Sequence, residues 1–190
     1  MLEVPMPHPG LKLTVEDYEL FPDDGRRHEL IDGEHVVTAA PVVHHQRVLG
    51  RLHVAVYAIV ETAAAGEVFV APVDVVLSPH DVVQPDLLFV SSARSGIVDR
   101  RVEGAPDLAA EVLSPSSRRI DEVLKRRRYE ALGVAELWIL DPVIDVVRVY
   151  RREDEGGFAR PVELSAERGD RLETPLLPGL SVDLQRLFRR

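Results

Sequence analysis

APDLAAEVLSPSS, residues 105–117, reads as a buried strand with a glutamate, Glu111, at its centre. Side chains alternate between faces along a strand, which sets Leu108, Ala110 and Val112 on one face and Ala109, Glu111 and Leu113 on the other. Both faces are apolar, so the strand is expected to be covered on both sides. A carboxylate in that position is costly unless it is neutralised, paired or bound to a cation. Two explanations stand at this point: a structural ion pair with one of the arginines, or a group kept for chemistry.

The preceding apolar run, VVQPDLLFV, carries a second acid, Asp86, at the start of its strand. Taken alone, an aspartate after a proline is more often a turn residue. Two carboxylates at comparable places on adjacent strands can converge on a hard divalent cation, which prefers oxygen ligands. The pair is therefore more informative than either acid.

The rest of the chain supplies the layers around these strands. TVEDYEL (14–20) opens with a capping residue and places acids in the first turn, which predicts a short helix. HELIDGEHVV (28–37) reads as a hairpin turning at Asp32-Gly33, with Glu29 on its first strand. From Val42 to about Ala64 the apolar residues recur at three- and four-residue steps, the period of an amphipathic helix. EVFVA (67–71), VDVVLS (73–78), DLLFVS (86–91) and DLAAEVLS (107–114) are short strands punctuated by prolines. IDEVLKRRRYEAL (120–132) is helical, with Ile120, Leu124, Arg127 and Ala131 on one face and Gly133 at its C-terminal cap. AELWIL (135–140) and VIDVVRVYRR (143–152) form a further hairpin, Arg151 to Thr174 an edge hairpin, and SVDLQRLF a closing helical turn. The fold class is α/β: a central mixed β-sheet flanked by helices.

Composition bounds the function. The chain has 190 residues, 45% of them hydrophobic, enough for a single domain spanning 1–190, with an N-terminal arm at 1–12 and a polar hairpin region at 152–174. The net charge of −9 supplies no whole-molecule attraction to nucleic acid or anionic membrane, so any nucleic-acid contact must be local. Neither a signal peptide nor a membrane span is legible, and a cytoplasmic protein is expected. The absence of cysteine excludes disulfides and cysteine-based zinc sites. Trp138 is expected in a core or an interface rather than as a base-stacking platform.

Only two lysines, Lys12 and Lys125, stand among 23 basic residues. Asp121, Lys125 and Tyr129 fall at i, i+4 and i+8, one stripe of the helix that follows the Glu111 strand, so Lys125 can swing toward that strand. Lysine is a compact charge whose pKa can be moved, which arginine is not.

Pro85-Asp86 followed by Glu111-Val112-Leu113 resembles the signature of the PD-(D/E)xK nucleases, a proline-aspartate and then Glu-x-Lys on the next strand. Leu113 stands where that signature has lysine. RHELIDGE, PVVHHQRV, VVQPDLLFV, APDLAAEVLSPSS, the Asp121–Lys125–Tyr129 stripe and GVAELWILDP together resemble the Uma family of restriction-endonuclease-like proteins, over roughly residues 12–150. The resemblance implies the restriction-endonuclease-like fold, with the lysine moved onto the helix as Lys125. It implies that Asp86 and Glu111, aided by the backbone carbonyl of Val112, hold Mg²⁺ or Mn²⁺, and that Lys125 orients or deprotonates the attacking water. The substrate implied is nucleic acid, DNA foremost, cut by an endonuclease working as a homodimer.

Further positions match the family with their roles open. Glu29 is a third acidic position that either completes the metal site or pairs with Arg26 or Arg27. Asp74 supports the site from behind or is a solvated acid at a strand end. His45 caps the long helix or touches phosphate, against the slightly favoured alternative of an exposed histidine. Arg118, Arg119, Arg126, Arg127 and Arg128 lie near the site in sequence, and a solvated helix face is the expectation for most of them. The competing reading is a non-catalytic binding or regulatory module on the nuclease fold. The presence of all three of Asp86, Glu111 and Lys125 favours the enzyme.

Overall fold

In the computed structural model, which describes residues 11–153 and 156–190, Thr14 caps helix α1 (Val15–Tyr18) in a reciprocal capping box with Asp17. Of the expected N-terminal arm, residues 1–10 lie outside the described residues, as do residues 154–155 of the polar region. Strands β1 (Arg27–Ile31) and β2 (Glu34–Thr38) form the expected hairpin, and its turn holds Asp32 at φ 53° and Gly33 at φ 80°. That left-handed pair gives the twist a two-residue hairpin needs. Helix α2 (Val43–Ala63) follows, with Val48, Leu49, Leu52, Val56 and Val60 buried along one side.

The chain then lays down β3 (Gly66–Val70), β4 (Val75–Ser78), β5 (Asp81–Val83), β6 (Leu87–Ser91), β7 (Val102–Glu103) and β8 (Leu108–Val112). A wide helical segment, Ile120–Lys125, leads directly into α3 (Arg126–Leu132), and Gly133 ends it at φ 100°. Strands β9 (Glu136–Asp141) and β10 (Val146–Arg151) form the second hairpin. The chain closes with β11 (Val162–Ser165), β12 (Arg171–Leu172), β13 (Val182–Asp183) and α4 (Leu184–Leu187).

The strands make two larger mixed sheets rather than the one expected. One runs β11-β10-β9-β8-β6-β3 and the other β2-β1-β5-β4-β7, while β12 and β13 pair separately. The predicted alternation along β8 is what divides the core. Leu108, Ala110 and Val112 pack with α2 and the C-terminal segments, whereas Ala109 and Leu113 pack toward Ile31, Val75 and Val83 of the second sheet and Tyr129 of α3. A covered strand thus has a helix layer on one face and the second sheet with α3 on the other. β5 and β7 are too short to have a period of their own; β5 joins β4 to the hairpin, and β7 pairs with β4 at the far edge.

Two details refine the expectations. The most buried face of 120–132 is the stripe Asp121, Lys125 and Tyr129 that was expected to turn toward β8; of the other face, Ile120 and Leu124 pack against the core while Arg127 and Ala131 are exposed. The helix spends its buried face on the polar stripe because that stripe meets buried acids. The segment 151–174 is not a hairpin of its own. Asp170 accepts the Ser165 N–H at 2.8 Å, and the chain then leaves β11, paired with β10, to pair β12 with β13.

Candidate active site

Asp86 immediately precedes β6, and the antiparallel pairing of Leu87 with Ala110 brings it beside Glu111 of β8. Its carboxylate is held from three directions: Val112 N–H donates at 2.8 Å, His45 Nε2 at 3.0 Å and Arg27 Nη1 at 3.0 Å. Burial alone would raise its pKa, but the His45 hydrogen bond and the Arg27 guanidinium outweigh it and hold the carboxyl down to about 2.

Glu111 is held differently. Tyr129 O–H donates to its Oε1 at 2.6 Å and Lys125 Nζ at 3.2 Å. Burial pushes its carboxyl up to about 8 against the pull of Lys125, with Asp121 and Asp86 adding like-charge repulsion. Two acids on neighbouring strands therefore stand in opposite protonation regimes, the mark of a site where environment assigns roles.

Lys125 is the centre of the cluster, with Nζ 2.7 Å from Glu29, 3.2 Å from Glu111 and 3.5 Å from Asp121. Burial would lower its pKa, yet the surrounding carboxylates outweigh burial and the ammonium is held above its ordinary value. The wide helical segment positions it: Arg126 N–H bonds to the Asp121 carbonyl five residues back. Leu113, in the place the nuclease signature gives to lysine, is packed in the core.

Glu29 comes from the second sheet, its Oε1 accepting the Gln84 main-chain N–H at 2.7 Å. Of the two arginines weighed for it, it meets Arg27, at 3.8 Å, and it lies closer still to Lys125, at 2.7 Å, while its Oε2 is buried without a hydrogen-bond partner. Asp74 is not a solvated acid. It accepts from Tyr18 O–H and from Gln84 Nε2, each at 2.8 Å, and so steadies the residue that steadies Glu29. His45 is buried on the first turn of α2 rather than exposed, a correction forced by the charge of Asp86 above it.

The arginines near the site in sequence mostly serve elsewhere. Arg118 makes a two-pronged pair with Asp141, Arg128 another with Asp81, and Arg126 binds Glu130, while Arg119 and Arg127 are exposed. Trp138 is a core residue whose Nε1 donates to Glu136 at 2.6 Å. Arg27, expected only as a partner for Glu29, and Gln84, which carries no motif, also belong to the site. The signal for Arg27 was available, since Arg27 and Glu29 are two apart on a strand and share a face.

These groups line an open cleft of about 1040 Å³. Its chemistry fits a hard divalent cation. Glu29, Asp86, Glu111 and Asp121 bring four carboxyl groups against two permanent cations, Arg27 and Lys125. The donors are carboxylate oxygens, and one of them, Glu29 Oε2, is buried and unpaired. Among the described residues no three acid or imidazole side chains already converge in a coordinating arrangement. The acids turn instead to Lys125, Arg27 and His45.

The sequence profile of the Uma2 family, described as "Putative restriction endonuclease", matches residues 15–185. The chain belongs to the Uma2 family. The match extends past the resemblance seen in the sequence motifs to include β11, β12 and β13. A crystal structure from Anabaena variabilis, of "a putative nuclease belonging to DUF820", superposes with a TM-score of 0.77 over 93% of this chain and 97% of that one, at 18% identity. That likeness shows the mixed α/β fold of this Uma2 chain, mixed sheets flanked by helices. No curated protein matches it in sequence. Among the described residues no helix is long and apolar enough to cross a membrane.

Proposed function

We propose that this Uma2 protein is a metal-dependent endonuclease that hydrolyses phosphodiester bonds of nucleic acid, with DNA as the principal polymer. The observation that carries the reading is a buried cluster of four carboxyl groups, one oxygen of which, Glu29 Oε2, has no partner, beside a lysine that is kept charged. Asp86 and Glu111 would hold Mg²⁺ or Mn²⁺, with the Val112 carbonyl as a third oxygen. When bound, the ion supplies Lewis-acid stabilisation of charge on the phosphate and a more acidic water.

The protein's own groups do the rest. Lys125 keeps its proton, so it orients the attacking water and opposes developing negative charge instead of acting as the base. Glu29 offers the unpaired Oε2 as a hydrogen-bond acceptor for that water. His45 and Arg27 fix the Asp86 carboxylate, while Tyr129 fixes Glu111, so neither acid has to be ordered at the moment of reaction.

Cleavage of a labelled mixture of DNA and RNA oligonucleotides with Mn²⁺ tests the proposal. Wild type is expected to cut, and Glu111→Gln and Lys125→Gln, checked for folding by circular dichroism, to be slower by about 100-fold or more. Wild type that cuts nothing, or variants that cut at the wild-type rate, would favour a non-catalytic module.

A further inference from the structure

The shape and lining of the cleft bear on which nucleic acid can enter, an inference that rests on the nuclease reading above. We infer that the cleft takes an unpaired strand, engaging about two or three nucleotides, and not continuous duplex.

Depth is the first reason. Asp86, Glu111 and Lys125 are only 3%, 1% and 1% exposed, so the reacting phosphate must descend to the floor of the cleft. A duplex holds its phosphates on the outside of a stiff rod, whereas a single strand can bend inward. Size agrees: about 1040 Å³ is slightly larger than pockets that enclose small ligands, roughly 300–1,000 Å³, room for a few nucleotides.

The walls give the second reason. Val37, Ala40, Pro41, Leu49, Ala71 and Pro72 line the same cleft as the acids. Duplex hides its base faces from such a surface, while an unpaired strand offers them.

Charge gives the third. The lining carries Arg26, Arg27 and Lys125 against Asp23, Glu29, Asp86, Glu111 and Asp121, which is no track for successive phosphates. Duplex affinity comes chiefly from neutralising many phosphates. Here one phosphate is provided for: Arg27 donates to Asp86 through Nη1, while its Nε and Nη2 make no hydrogen bond, Nη2 lying 3.8 Å from Glu29, which leaves hydrogen-bonding capacity for one phosphate group. One anchored phosphate with apolar contacts to neighbouring bases describes a short unpaired segment.

The test is fluorescence anisotropy of wild type, with Ca²⁺ replacing the catalytic ion, against thymidine and uridine strands of about three, six and twelve nucleotides and a duplex of similar length. The strands are expected to bind with affinities that level off after the shortest, and the duplex about tenfold or more weaker. Raising salt from about 50 to about 200 mM should weaken strand binding by less than about tenfold, as one or two phosphate contacts require. Comparing the thymidine and uridine series separates DNA from RNA as the source of the strand. Val37 is 42% exposed on the wall, and Val37→Glu should cut strand affinity about tenfold while leaving Mn²⁺ binding unchanged. Duplex binding as tight as the strands, affinity that climbs through the longest strand, or a Val37→Glu variant that binds normally would overturn the inference. If nothing binds while Mn²⁺ does, the inference fails and the metal site survives. If Mn²⁺ also fails to bind, the nuclease reading fails with it.

Discussion

Glu111 and Asp86 sit side by side, yet their surroundings give stability opposite dependences on pH. Asp86 is held down to about 2, so it stabilises the fold above its ordinary carboxylate range, and that contribution is lost as pH falls through about 2. Glu111 is pushed up to about 8 by burial, so the folded protein keeps a proton that the unfolded chain gives up near its ordinary value. Its contribution is full below that ordinary value and declines as pH rises toward about 8. The apo protein should therefore melt at a lower temperature at about pH 8 than at about pH 5, and Glu111→Gln should flatten that slope. Thermal melts in chelator at the two pH values measure it, and equal slopes in both proteins would contradict the assignment of the proton to Glu111.

The hairpin and the wide helical segment are the elements that bring distant residues to one point. β1 delivers Arg27 and Glu29 from the second sheet, and its turn is fixed by Gly33, whose N–H bonds to the His80 carbonyl at 2.8 Å. A Cβ on Gly33 would lie 2.5 Å from Lys12 Cβ, at a φ that side chains rarely adopt. Gly33→Ala is expected to cost roughly 1–3 kcal/mol in urea unfolding and to weaken metal binding through Glu29, whereas unchanged stability would mean the turn does not set the hairpin. The hairpin was legible because Asp-Gly between alternating runs has one local solution, and both faces of β8 were legible because period-two alternation is local too. The inward stripe of 120–132 was legible as a spacing, Asp121, Lys125 and Tyr129, but apolar patterning pointed to another face. Nothing local announces that a helix will bury a lysine; that depends on three acids arriving from β1, β8 and its own first turn. The five-residue hydrogen bond at Arg126 likewise has no signature in the residues that make it.

At the scale of the whole molecule, the net charge of −9 and the acidic cluster argue in the same direction. A chain with this balance gains little from general attraction to polyanions, so the proposed action on nucleic acid rests on local contacts and a local cation. The division into two sheets was not legible, because β5 and β7 are three and two residues long and join by pairing rather than by pattern. That second sheet covers β8 and supplies Glu29, so the buried charge at the centre of APDLAAEVLSPSS is a consequence of tertiary assembly. The most direct measurement is calorimetric titration of Mn²⁺ into wild type, Asp86→Asn and Glu111→Gln, in buffers of differing ionisation enthalpy. Wild type is expected to bind one ion per chain and to release close to one proton at about pH 7, because Glu111 must give up its proton to serve as a ligand, with release vanishing at about pH 9. Both variants should lose binding by about tenfold or more. No Mn²⁺ binding by wild type, or equal binding by all three proteins, would contradict the metal site and leave Glu111 as a structural partner of Lys125.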